Sequence, residues 1–303
     1  MVAKLNKLKT ELGGGRVMYR AEDAGPIRFG VTGRKRNTTH VYNSIKVPNH
    51  ILPAESDAEL QVMLLLDVST SALTYMAQPH TLVFPRVGRK GKWRYTPDLE
   101  VIVPRWFVRQ LEMGVPFALA ALKLPQRRAE ADDLVVLVLE VKGASKYVDL
   151  SKNIADQPED LARARKRAAK KEDYEAKLGE AEKIYRDIGY HFYLVEDLRD
   201  LDSFNLLHLP SILMDDGAKI TQRTTNLAWR HLQRCGGLTT YAGMIGALGG
   251  GPFGREAANC LHIRGHIWID LSHNPKADTK VAMPPLLGSR RKLISLLSFE
   301  WEA

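Results

Sequence analysis

LVVLVLEVKG, residues 134–143, opens with six apolar residues and then sets a glutamate and a lysine two positions apart. A run without polar alternation reads as a strand apolar on both faces, the pattern of a central strand in a sheet covered on both sides. Side chains alternate across a strand, so Glu140 and Lys142 share one face while Val141 packs on the other. Burying either charge is costly unless it is paired or bound. The pair is therefore either an ion pair where the strand emerges or the start of a site. Ligands commonly sit at the C-terminal ends of strands in open α/β sheets.

Working outward, the polar, basic residues 1–55, with GGG at 13–15 and GRKRN at 33–37, read as a loose N-terminal arm with short strands. ESDAELQVMLLLD (55–67) has near-helical apolar spacing. ALTYMAQPHTLVF (72–84) and KWRYTPDLEVIV (92–103) read as strands bounded by Pro and Gly. WFVRQLEMGVPFALAALK (106–123) reads as a helix broken at Gly114 and Pro116, followed by a polar loop, PQRRAEAD. Residues 158–189, rich in Ala, Glu, Lys and Arg, predict one long helix or a helix pair stopped by Gly189. YHFYLVE (190–196) returns as a strand, and this order predicts an α/β domain with a mixed sheet. The pattern changes near Pro210, and a boundary is expected near 209, giving domains 1–208 and 209–303. Helices over 221–237, 239–248 and 253–265, then a hairpin over 266–283, follow the order of a winged helix.

The chain has 303 residues, 45% of them apolar and 26% charged, enough for a substantial core. The longest apolar runs are far short of the about 20 residues that span a bilayer, so no membrane association is expected. No secretory h-region is visible at the N-terminus, and two cysteines without a CxxC fit a reducing, cytoplasmic setting. A net charge of +9 points to a polyanion as partner, with nucleic acid first.

Further acids bear on the Glu140–Lys142 pair. YTPDLEVIV places Asp98 just after Pro97, at the start of a strand. If that strand neighbours 134–142, Asp98 and Glu140 make a hard oxygen site suited to Mg²⁺, with Mn²⁺ as a substitute. Such an ion orients and ionises a water, while Lys142 stabilises developing negative charge or positions that water. Glu100 shares the face of Asp98 and is read as solvent-facing. Glu59 closes an S-x-x-E capping box and is also a third acid for the site, with Glu55 as the fallback one turn away.

TPD followed by LEVK resembles the PD-(D/E)xK pattern of restriction-endonuclease-like nucleases. The longer succession is more specific: ESDAELQVMLLLD, the QPH strand, RYTPDLEVIV and LVLEVKG resemble TnsA, the endonuclease subunit of heteromeric transposases. The resemblance covers roughly 40–290 and implies a restriction-endonuclease-like mixed sheet flanked by helices, followed by a small winged-helix domain. It implies Asp98 and Glu140 as metal ligands, Lys142 as the catalytic lysine, Glu59 as a further catalytic acid and Gln78 as a support. It also implies cleavage of double-stranded DNA at the 5′ ends of a transposable element. A DDE transposase would cut the 3′ ends, and an AAA+ ATPase would bind near the C-terminal region. The span from Asp98 to Glu140 is longer than the family's usual spacing, which makes 104–133 an insertion.

Arg163, Arg165, Lys166, Arg167, Lys170 and Lys171 form a basic run read either as a solvated helix face or as phosphate contacts. Arg223, Arg230, His231 and Arg234 are read as positive charge on the C-terminal helices. GALGGGPFG (246–254) has no following Lys-Ser/Thr and is not a phosphate loop. His262 and His266 lack the further ligands a zinc site needs. Two other functions share these features: a stand-alone restriction or repair nuclease, and a non-catalytic DNA-binding scaffold that recruits a transposase.

Overall fold

A computed structural model of the chain describes residues 6–29, 38–124, 133–142, 158–201 and 204–284, with side chains for all of these except 158–169. The protein is mixed α/β, with several small sheets and helices. Its elements are β1 (Lys7–Gly13), β2 (Arg16–Ala21), β3 (His40–Asn43), β4 (Ile51–Ala54), α1 (Asp57–Val68), β5 (Thr74–Ala77), β6 (His80–Pro85), β7 (Lys92–Tyr95), β8 (Leu99–Pro104), α2 (Arg105–Glu112) and α3 (Phe117–Leu122). There follow β9 (Leu134–Lys142), α4 (Pro158–Asp187), β10 (His191–Glu196), α5 (Asp197–Asp200), α6 (Leu209–Leu213), α7 (Gln222–Arg234), β11 (Leu238–Thr240), α8 (Tyr241–Ala247), α9 (Gly251–Ile263), β12 (Trp268–Ile269) and β13 (Lys280–Ala282).

β9 lies inside a four-stranded sheet of order β10-β9-β8-β5. It runs antiparallel to β8 and parallel to β10, which it reaches through α4. A parallel pair needs such a crossover. Leu137, Leu139 and Val141 pack on one face with Val62, Leu65 and Leu66 of α1 and Ala118 and Ala121 of α3. Val138 packs on the other face with Ala181, Ile184 and Tyr185 of α4 and with Met18, Leu82, Phe84, Trp93 and Tyr95 of a second sheet, β1-β2-β6-β7. Both faces of β9 are covered, which is why its sequence does not alternate.

The stretches 72–84 and 92–103 each divide into two strands, one in each sheet. The divisions fall at Gln78-Pro79 and at Thr96-Pro97. Proline has no N–H for the ladder and restricts the residue before it, so each stretch turns out of one sheet and into the other there. The N-terminal residues 7–21 form a hairpin on β6, turning at Gly14-Gly15, both at positive φ. The 158–187 segment is one helix rather than a pair.

α1 is capped at its start by Ser56, whose side chain accepts the N–H of Glu59 at 3.2 Å. At its end the buried Lys46 ammonium donates to the carbonyls of Leu66, Ser69 and Ala72, each at 2.6 Å. A cation at a helix C-terminus complements the macrodipole. Burial still outweighs the nearby Asp67 and brings Lys46 down to about 8.

α7, α8 and α9 pack beside a three-stranded sheet of order β11-β13-β12. Their apolar residues, among them Ala228, Leu232, Met244 and Leu261, belong to the same cluster as α1 and α3. Trp268 donates its indole N–H to the carbonyl of Leu122 at 2.9 Å. One apolar core thus runs across the 208/209 position.

Glu100 corrects its sequence reading. It is not solvent-facing: Arg20 donates to its two oxygens at 3.2 and 2.8 Å, and the Nδ1 of buried His80 lies 3.0 Å from Oε2. Burial raises the Glu100 carboxyl, but Arg20 and His80 outweigh it and hold the group at about 2. Arg20 lies on β2, so this pair ties the second sheet to the first.

Breaking a buried pair costs ~3–5 kcal/mol, and Arg20 is still partly exposed. Arg20→Ala is therefore expected to lose about 3 kcal/mol in urea unfolding. Because the folded carboxyl is depressed, its contribution is full above the ordinary glutamate value and is lost as pH falls toward about 2. The stability gap between the wild type and Glu100→Gln should accordingly be largest near neutral pH and shrink on acidification through that window.

Candidate active site

β8 and β9 pair with Leu99 opposite Leu139 and Glu100 opposite Val138. One step beyond the ladder, Asp98 stands opposite Glu140, and opposed residues present their side chains to the same face. The Asp98 carboxylate also crosses to β9 directly, where its Oδ2 accepts the N–H of Val141 at 2.7 Å. The structure thus joins the TPD and EVK segments at one end of the sheet.

Glu140 and Lys142 are both buried. Lys142 donates to Glu140 Oε1 and to the hydroxyl of Tyr174 on α4, and that hydroxyl in turn donates to Glu140 Oε1. The other oxygen of Glu140 accepts from Tyr95 of β7 at 2.8 Å. The Lys142 ammonium also stands over the Tyr174 ring, 4.6 Å from its centroid. β9 supplies the acid and the base, and two tyrosines from other elements hold them.

Glu59 is buried in the first turn of α1. Its Oε2 accepts the N–H of Glu55 at 2.8 Å and its Oε1 the hydroxyl of Ser56 at 3.1 Å, which ties its side chain back to the start of the helix. Glu59 also reaches the site electrostatically. The Asp98 carboxyl is pushed well above its usual range, first by desolvation, then by the charges of Glu140 and Glu59; Val141 and Lys142 oppose the shift without cancelling it. Three carboxylates therefore repel one another around Asp98.

Gln78 occupies the corner between β5 and β6, buried and with φ of 45°. Its N–H donates to the Asp98 carbonyl at 2.8 Å, its Oε1 accepts from Arg28 at 2.9 Å, and its Nε2 donates to Glu55 at 3.1 Å. A non-glycine residue held at positive φ is strained, and such strain persists where surrounding bonds over-determine it. Glu55 thus bonds Gln78 in a supporting layer.

The donor set suits a hard cation. Magnesium is usually held by one or two carboxylates with the rest of its shell from water and substrate phosphate, and Asp98 with Glu140 supplies such a pair. Among the described residues, no group of three or more His, Cys, Asp or Glu side chains is gathered to hold a metal ion by protein ligands alone.

Other sequence candidates lie apart from this cluster. Lys170 and Lys171 are exposed on α4, and the side chains of Arg163, Arg165, Lys166 and Arg167 lie outside the described residues. Arg223, Arg230 and Arg234 are exposed at helical spacing on α7. His231 is not part of that stripe, because its ring bonds Thr239 at 3.0 Å. The sequence reading missed Tyr95, Tyr174 and Lys177. A signal for α4 existed: Tyr174, Lys177, Ala181 and Tyr185 follow helical spacing and form one stripe within a highly charged segment.

Compared with models of known protein families and with curated proteins, the chain matches none. Among the described residues, no helix is long and apolar enough to cross a membrane.

The repulsion at Asp98 has a measurable signature. A folded carboxyl raised above its unfolded value contributes stability only at low pH and loses it as pH rises through the folded value. Asp98→Asn keeps an acceptor for Val141 and removes the charge. It should melt at a higher temperature than the wild type at neutral pH, and the difference should vanish below the ordinary aspartate range. Gln78→Gly should relieve the backbone strain yet release Arg28 and Glu55, leaving the fold intact and the site displaced. The change in chemical shift at Asp98 and Glu140 would read that displacement.

Proposed function

We propose that the protein is a metal-dependent DNA endonuclease of the PD-(D/E)xK class, acting as the TnsA-type subunit that cuts the 5′ ends of a transposable element. The observation that carries the reading is Asp98 opposite Glu140 on neighbouring strands, with Lys142 on the same face and Glu59 within electrostatic range. The mixed sheet covered on both faces supports a restriction-endonuclease-like nuclease region. The α7–β11–α8–α9–β12–β13 order, with its three-stranded sheet, supports a winged helix after it. The net charge of +9 supports a nucleic-acid substrate.

In this reading Asp98 and Glu140 hold Mg²⁺ or Mn²⁺. The bound ion would supply charge neutralisation at the scissile phosphate and a water more acidic than bulk. The chain's own residues do the rest. Lys142 presents an ammonium beside the carboxylates, placed to stabilise charge developing on the phosphate oxygens. Tyr95 and Tyr174 fix the orientation of Glu140, and Gln78 with Glu55 fixes the start of β8 and the cap of α1. A DDE transposase and an AAA+ ATPase are the partners this reading assigns.

Mn²⁺ or Mg²⁺ titrated into the protein should raise its melting temperature, since a ligand bound only by the folded state stabilises it. Asp98→Ala should abolish that rise and Lys142→Ala should keep it. On duplex DNA with its partner proteins, both variants should lose divalent-dependent 5′-end nicking by about 100-fold or more, the scale of removing one transition-state donor. Undiminished nicking by both variants would overturn the assignment. Vigorous sequence-specific cutting without partners would move it to the stand-alone nuclease.

A further inference from the structure

α4 brings a second lysine to the carboxylate cluster. Lys177 follows Tyr174 by three residues, so both project from the same side of the helix. The Lys177 ammonium lies over the Tyr174 ring, 4.8 Å from its centroid, and 5.7 Å from that of Tyr95. These are the two tyrosines that hold Glu140. Two ammonium groups therefore lie against the Tyr174 ring, Lys142 at 4.6 Å and Lys177 at 4.8 Å.

Lys177 is half-buried, and among the described residues it makes no ion pair and no hydrogen bond. The acid one helical turn before it, Asp173, is already engaged by Arg86 and by the indole N–H of Trp93. The other lysine with a described side chain further along the helix, Lys183, is exposed and paired with Glu180 at 2.6 Å. A cation withdrawn from water needs compensation. Two aromatic faces supply part of it, and an anion approaching Lys177 would supply the rest. Burial lowers the affinity of Lys177 for its proton, with Glu140 partly opposing this and Lys142 adding to it, which places the ammonium within the field of both.

We infer that Lys177 is a second phosphate-binding cation of this site, held by the Tyr174 and Tyr95 rings so that it contacts a backbone phosphate next to the one Lys142 faces. This inference rests on the nuclease reading. It assigns α4 two tasks: closing one face of the sheet through Ala181, Ile184 and Tyr185, and offering charge to the DNA strand through Lys177.

The test compares wild type, Lys177→Gln, Lys177→Arg and Lys183→Gln, after melting curves establish that all are folded. The affinity for a fluorescein-labelled duplex is measured by anisotropy across a salt series without divalent ion. Each phosphate contact contributes about 0.9 to the slope of log K against log salt. Lys177→Gln should reduce the slope by about that amount, Lys177→Arg should restore it, and Lys183→Gln should leave it unchanged. In the nicking assay with partner proteins, Lys177→Gln should raise KM and lower kcat/KM about tenfold, with the arginine variant recovering most of the loss. Equal slopes for wild type and Lys177→Gln, or equal losses for the Lys177 and Lys183 glutamine variants, would overturn the inference and leave the nuclease reading intact. The salt slope needs no catalysis, so an absence of metal binding and nicking in the wild type would count against the nuclease reading separately.

Discussion

The site depends on the register of β8 against β9. A strand apolar on both faces is poorly specified by its apolar pattern, because a one-residue slip exchanges leucine and valine for valine and leucine. What pins β9 lies at the charged end. Asp98 accepts the N–H of Val141, and Tyr95 donates to Glu140. A slip by one residue would turn Glu140 and Lys142 toward α1, into the apolar cluster where Val141 now packs, and away from Tyr95 and Tyr174. Polar groups that are costly to misplace thus specify a strand that apolar packing would leave free to slide.

The two proline corners give the register its geometry. The chain leaves the first sheet at Gln78-Pro79, returns through β6 and β7, and re-enters at Thr96-Pro97. Both corners lie beside Asp98, and the Gln78 N–H to Asp98 carbonyl bond joins them. A proline at the entry of a strand cannot donate to the ladder, and side chains beside it are released from the regular pleat. Asp98 sits at that release point, one residue before β8. Arg20 and Glu100 secure the same junction deeper in, where the second sheet crosses the first.

Much of this was legible in the sequence because it is local. Alternation alone places Glu140 and Lys142 on one face, the S-x-x-E box marks the start of α1, and Gly114 and Pro116 mark the break between α2 and α3. The larger failures are long-range. Nothing near Glu100 announces Arg20, eighty positions upstream, so an acid at a strand interior read as solvent-facing. The two split strands looked continuous because each half has proper strand composition, and only the second sheet gives the proline corners somewhere to go. Tyr174 and Lys177 were hidden by composition: in a helix crowded with charge, a short stripe facing the sheet does not stand out. His231 was grouped with the α7 arginines by proximity in sequence, whereas its ring turns to Thr239.

The two acids of the site are held very differently. Glu140 receives hydrogen bonds from Tyr95, Tyr174 and Lys142, so its charge is compensated by the protein itself. Asp98 receives one backbone N–H and faces two other carboxylates, and its proton is correspondingly hard to remove. A cation entering between them would gain more at Asp98, where repulsion is unrelieved, than at Glu140, where donors already compete for the same oxygens. A metal must displace the proton of any ligand that carries one. Under the proposed function, Asp98 then sets the pH dependence of metal affinity, while Glu140 and its tyrosines set the direction from which the ion is held. The strain of an uncompensated aspartate and the rigidity of a fully bonded glutamate are complementary halves of one preorganised site.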